Sequence, residues 1–121
     1  MSVKWEIIFY ETEKGDCPVR NFIEKKKEKN QAKIITAIQY LGKTGPNLPR
    51  PYADLLENGI YELRIKIAED DGGTQTRILY FFYDRTDIIL THGFMKTTDE
   101  VPEKEIAKAK KYRDDYISRK K

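Results

Sequence analysis

The chain has 121 residues, with 23 Lys or Arg against 20 Asp or Glu, a net charge of +3, one histidine and one cysteine, Cys17. That length suits one domain, residues 1–121, built on a single sheet with packed helices, and is too short for two independent cores. A lone cysteine excludes an intrachain disulfide and a multi-cysteine zinc site, a lone histidine argues against a protein-built metal site, and so small a net charge does not by itself imply nucleic acid. Val3 to Tyr10 alternates Val3, Trp5, Ile7 and Phe9 against Lys4, Glu6, Ile8 and Tyr10, which predicts a first strand with one face in the core. Asp16 is placed to cap a helix with Pro18 in its first turn and Val19, Phe22 and Ile23 as its apolar stripe. A second helix is expected from about Gln31, burying Ile34, Ile35, Ile38 and Leu41 and ending at Gly42.

The next stretch, Lys43 to Leu56, has three prolines and a glycine in its first nine residues and reads as an ordered, irregular connection suited to ligand contacts. Asn58 and Gly59 turn the chain into three strands running to Lys96, with Asp70 to Gly73 and Asp84 to Asp87 as the connections. In the first of them Tyr61, Leu63, Ile65 and Ile67 face one way and Glu62, Arg64 and Lys66 the other. The second, about Thr76 to Tyr83, is apolar on both faces and carries one charge, Arg77, as a doubly covered central strand does. The third puts Ile88, Leu90, His92, Phe94 and Lys96 in one phase. Pro102 then opens a last helix with Ile106, Ala109, Tyr112, Tyr116 and Ile117 as its apolar stripe and Lys104, Lys108 and Lys111 on another side. The order β-α-α-β-β-β-α predicts an α+β domain with an antiparallel-rich four-stranded sheet. Pattern alone does not say which strand of the meander pairs with the first.

The positive charge gathers at one end. Pro102 to Lys121 holds eight Lys or Arg against four Asp or Glu, and residues 1–101 sum to −1. No apolar run approaches the roughly 18 residues of a membrane span, and the start MSVKWEIIFYETEK lacks a signal peptide's layout, so a cytoplasmic location and no membrane partner are expected. No Gly-rich phosphate loop and no serine or cysteine nucleophile motif is present. A cationic cluster remains: Arg64, Arg77, Lys96 and His92, on adjoining strands, can hold a phosphodiester and stabilise the extra charge of its transition state. RNA brings its own nucleophile, the 2′-hydroxyl, so such a surface needs no cofactor. The plainer alternatives are a salt-bridged surface Arg64, a solvated Lys96, and a His92 that packs between Leu90 and Phe94.

Tyr61-Glu62-Leu63-Arg64, then Arg77-Ile78 with Tyr80-Phe81, then His92-Gly93-Phe94 with Lys96, Thr98 and Pro102, resemble the phage-derived HigB-like toxin family of the RelE/ParE toxin superfamily. The resemblance spans roughly Val3 to Tyr116 and departs at Thr97, where a second lysine is usual, and at Asp99 and Glu100, which lower the positive charge nearby. It implies a RelE-like fold and the toxin of a type II toxin–antitoxin module. The implied activity is a metal-independent mRNA interferase that cleaves ribosome-bound mRNA by 2′-hydroxyl attack. The implied partners are the ribosome, mRNA and a cognate helix-turn-helix antitoxin, in a homodimer or a hetero-oligomer with the antitoxin. Under it, Arg64 and Arg77 bind the phosphate, Lys96 stabilises charge and His92 acts as acid or base, while Lys43, Arg50, Lys104, Lys108 and Lys111 dock RNA. Two other readings stay open: a gyrase-inhibiting toxin of the same superfamily, and a remnant that only binds its antitoxin.

Overall fold

The computed structural model describes residues 4–68 and 75–120, so the expected turn at Asp70 to Gly73 lies outside the described residues. The elements are β1 (Glu6–Phe9), α1 (Pro18–Glu24), α2 (Glu28–Thr44), a 3₁₀ turn (Gly45–Asn47), β2 (Ala53–Glu57), β3 (Ile60–Lys66), β4 (Gln75–Tyr83), β5 (Asp87–Met95) and α3 (Glu103–Lys120). They form an α+β structure with a five-stranded mixed sheet in the order β1-β5-β4-β3-β2. The four-stranded expectation is corrected by β2, which lies inside the stretch read as irregular and pairs antiparallel with β3. Three prolines precede it, and two of its five residues are acidic. A short, charged strand is what an exposed sheet edge tolerates, because it discourages pairing with other chains. β1 settles on the opposite edge, parallel to β5, with Glu6 opposite Asp87 and Phe9 opposite Leu90.

Both faces of the sheet are covered. On one, Val19, Ile23, Ile34, Ile38 and Leu41 of the helical pair bury against Leu63, Ile78, Tyr80 and Leu90. On the other, Ala109 and Tyr116 of α3 meet Ile60, Leu79, Phe81 and Phe94, and Ile106 is buried as well. Each fully buried aliphatic side chain contributes about 1.5–3 kcal/mol, which is how these helices are held despite their polar outer faces. α1 starts one residue later than the Asp16 cap implies: Cys17 is the capping residue without a side-chain bond, and the Asp16 amide donates to Thr12 Oγ1 at 3.1 Å. α2 begins earlier than expected, at Glu28, and runs through Gly42, which is buried and whose carbonyl accepts the Trp5 amide at 3.0 Å. Gly45 ends the helix instead, at φ 61°, where a Cβ would fall on the Trp5 indole. Ile35, expected in the buried stripe, is exposed because it follows Ile34 onto the flank of that stripe.

One irregularity decides the site. Between β4 and β5 the register shifts: Leu79 faces His92 while Tyr80 faces Leu90, so Thr91 is the extra residue of a β-bulge, its Oγ1 donating to the Leu79 carbonyl at 3.1 Å. The single phase expected for Ile88, Leu90, His92 and Phe94 is therefore broken. Ile88 and Leu90 face the helical pair, whereas Phe94 packs in the core under α3 and His92 bonds to α3.

Candidate active site

The ladder between β3 and β4 places Arg64 directly opposite Arg77. Two like charges at that spacing repel, and a carboxylate between them removes the conflict. Glu62, one step along β3 on the same face, supplies it: Arg77 Nε donates to Glu62 Oε1 at 2.9 Å and Arg64 Nη2 to Glu62 Oε2 at 3.1 Å. Glu62 is 3 % exposed and Arg77 9 %, so this is a buried charge cluster rather than a surface ion pair. Burial pulls the Arg77 guanidinium below its ordinary pKa and Glu62 pulls it back up, and an arginine remains charged throughout. Its Nη1 also donates to the Thr76 carbonyl at 3.0 Å, which fixes the fork against its own strand.

Asp54 of β2 extends the cluster to the edge, accepting from Arg64 Nη2 at 3.4 Å and pairing with Arg50 Nη2 at 2.9 Å. Arg64 Nε is buried and, among the described residues, has no partner. The sequence names Arg50, Arg64 and Arg77 and offers Glu62, in phase with Arg64, only as a surface salt-bridge partner, whereas the fold buries it between both arginines and adds Asp54. The signal for Glu62 was present, since a residue between two core positions of β3 and in phase with Arg64 must meet whatever β4 presents on that face. Asp54 carried no signal, because its strand was unread.

His92 occupies a different part of the same face. Leu79 stands between it and Glu62 in the ladder, so it lies two strand spacings, about 10 Å, from the carboxylate clamp. It is 4 % exposed, and both ring nitrogens are engaged, Nε2 with Glu105 Oε1 at 3.0 Å and Nδ1 with Thr91 Oγ1 at 3.0 Å. Phe94 stacks on the imidazole and Tyr112 meets it edge-on. Burial lowers the His92 pKa and Lys108 adds to that, while the Glu105 carboxylate opposes both. Gly93 follows because the Phe22 ring lies against its backbone, where a Cβ would collide. The His-Gly-Phe run is thus accounted for by packing of α3 on one face and α1 on the other.

Lys96 lies just beyond β5 and donates to the Asp99 carbonyl at 2.8 Å. It lines a hollow with Arg64 in which Glu57, Glu62, Asp99, Glu100 and Glu103 outnumber the two cations. On the other side Arg64, Lys66 and Arg77 line an open hollow of about 520 Å³ with Pro51, Tyr52, Ile65 and Gln75, with no carboxylate among the described residues. Arg64 separates an acidic hollow from a basic one. Lys43 is not part of either, since it lies with Lys4 and Trp5 beside β1. Lys104, Lys108 and Lys111 are exposed at successive turns of α3, and Glu103, beside Lys104, lines the acidic hollow with Glu62 and Arg64. Among the described residues no three His, Cys, Asp or Glu side chains gather closely enough to hold a metal ion, and no helix is long and apolar enough to cross a membrane.

The five-stranded α+β sheet carries its carboxylate-clamped pair of arginines at an open basic hollow, and the class of the protein follows from its family: it is a member of the RelE/ParE-like toxin superfamily. The chain belongs to the phage derived Gp49-like protein family (DUF891), whose model matches residues 21–114. That family is one of toxins of toxin–antitoxin systems, is associated with endoribonucleases of the RelE type and implies an antitoxin partner. A comparison with curated proteins finds no match.

Proposed function

We propose that this protein is a HigB-like toxin of a type II toxin–antitoxin module, a ribosome-dependent mRNA endoribonuclease that inhibits translation and is neutralised by a helix-turn-helix antitoxin. The observation that carries the reading is the Arg64–Arg77 pair, held on one buried carboxylate and opening on a hollow lined by Arg64, Lys66 and Arg77. In the proposed reaction the RNA 2′-oxygen bonds to phosphorus as the bond to the 5′-oxygen breaks. The products are a 2′,3′-cyclic phosphate and a 5′-hydroxyl, the 2′-hydroxyl proton passing to solvent and a proton returning to the leaving oxygen. Arg64 and Arg77 bind the phosphate and stabilise the charge that develops on its free oxygens. Because Glu62 already fixes both guanidinium groups, little reorganisation is needed when that charge appears. Lys96 acts from the opposite side of Arg64, and His92 acts by positioning, holding α3 on the sheet, since neither ring nitrogen is free.

Induction of the chain in growing cells, with mapping of 5′ ends in cellular mRNA, tests this. New 5′-hydroxyl ends inside translated messages are expected, and they disappear on co-expression of the antitoxin. Growth arrest with intact mRNA and inhibited gyrase would place the protein in the gyrase branch. No arrest at all would leave a binding remnant.

A further inference from the structure

Beside the arginine clamp lies an aromatic pair that the chemistry above does not use. Tyr40 of α2 and Tyr52, just before β2, are 46 % and 48 % exposed, large surfaces for residues that could have packed inward. Their rings meet edge-to-face, with centroids 5.6 Å apart and an interplanar angle of 85°. That arrangement leaves ring faces unstacked. The two tyrosines wall a hollow floored by Ala37, Leu48, Leu63 and Ile65 and flanked by Lys33, and Arg64 and Lys66 border it at the edge of β3, where their side chains alternate to the other face. Tyr52, Arg64, Ile65 and Lys66 also line the hollow that contains Arg77, so the two hollows adjoin around the edge of β3 at Tyr52. The Arg64 amide donates to the Tyr52 carbonyl at 2.8 Å, which fixes the aromatic residue to the strand that carries the arginine.

We propose that Tyr40 and Tyr52 form a nucleobase subsite, in which a base of the single-stranded RNA held at Arg64 and Arg77 stacks on the exposed rings while Lys33 and Lys66 meet the flanking phosphates. The inference rests on the phosphodiester reading of the two arginines. An apolar floor, exposed aromatic faces and a rim of cations together match a nucleotide: a flat ring, which stacks on aromatics whatever its sequence, joined to an anion. The antitoxin is the competing occupant, and the test separates the two.

The probes are a short 2′-O-methyl RNA, which 2′-hydroxyl attack cannot cleave, and an abasic oligomer with the same phosphates. Binding of each to the purified protein is measured for wild type, Tyr40→Leu and Tyr52→Leu, with melting curves to verify folding. Wild type should prefer the base-bearing oligomer. Each tyrosine variant should lose about ten-fold in affinity for it, within the range of one stacked base, and keep its affinity for the abasic one. Equal binding of the two oligomers by wild type, or unchanged affinities in both variants, overturns the subsite. So does a loss confined to antitoxin binding, which would make the groove a protein-docking face. Base-dependent binding that the tyrosines control, without cleavage of ribosome-bound mRNA, would retain the subsite and discard the nuclease. Cleavage at unchanged sites and rates by both variants, with Arg77→Ala inactive, would do the reverse.

Discussion

Arg77 has two obligations at once, to Glu62 inside the protein and, in the proposed reaction, to a phosphate outside it. The Arg77→Ala variant should therefore fail in two measurements. Loss of a charge-assisted contact to the transition state costs about 2–4 kcal/mol, which lowers single-turnover cleavage of ribosome-bound mRNA by roughly 30- to 1,000-fold. Glu62, 3 % exposed, keeps Arg64 as its one partner among the described residues, and a half-paired buried carboxylate costs stability of about 1–3 kcal/mol, visible in a urea titration. Arg77→Lys keeps the charge but not the fork, so it should regain much of the stability and little of the rate. Full activity in a stably folded Arg77→Ala protein would remove Arg77 from the site.

His92 makes a separate prediction about pH. Its folded pKa lies below the ordinary histidine value because burial outweighs Glu105, so as pH falls below about 6.5 the unfolded chain takes up a proton that the native state resists. Stability is complete above that pH and declines below it, by at most about 1.4 kcal/mol per pH unit, until the native imidazole titrates as well. Melting temperatures of wild type should fall between pH 7 and pH 5, and His92→Gln should flatten that decline while leaving the shape of the cleavage pH profile unchanged. A cleavage profile that loses a limb in His92→Gln would return the imidazole to the chemistry.

At the scale of elements, the bulge at Thr91 matters most. It inverts the facing of the last part of β5, so that His92 and Phe94 meet α3 while Gly93 is left beneath Phe22 of α1. Gly93→Ala should destabilise the protein by about 1–3 kcal/mol, because the ring must leave its place between α1 and β5 or the strand must shift. The same substitution should hardly affect the arginine clamp, which depends on β3 and β4. A melt unchanged within error would mean that Phe22 yields without cost. β2 has a different importance: it brings Asp54 to Arg64 and Arg50 and stations Tyr52 at the mouth of the basic hollow.

Across the whole molecule, charge is sorted by place. The basic hollow and the acidic hollow beside Lys96 meet at Arg64, and the exposed lysines of α3 follow on from Glu103 of the acidic one, although the net charge is only +3. Lys104, Lys108 and Lys111 are exposed and take no part in the clamp's hydrogen bonds, so replacing all three with glutamine should weaken ribosome association and reduce its salt dependence without changing the chemical step. An unchanged salt slope in sedimentation with ribosomes would mean that the RNA lies against another face. With one histidine and one cysteine in the chain, chelation by EDTA should leave cleavage intact once ribosome integrity is controlled for.

The sequence alone determined the elements whose patterns are strong. The alternation through Tyr61, Leu63 and Ile65, the two-sided apolar run of β4 and the proline-started α3 each follow from local periodicity, and so does the placing of Arg64 and Arg77 on one sheet. Only the tertiary structure decided the rest. A five-residue edge strand has too few contacts to impose a pattern, so β2 stayed unread until β3 supplied its partner. One inserted residue, Thr91, reverses every later side chain without leaving a mark in composition, and with it the surroundings of His92. Glu62 becomes the centre of the site through ladder register, and Tyr40 meets Tyr52 across a helix and a connection twelve positions apart, because contacts between elements are set by how surfaces pack.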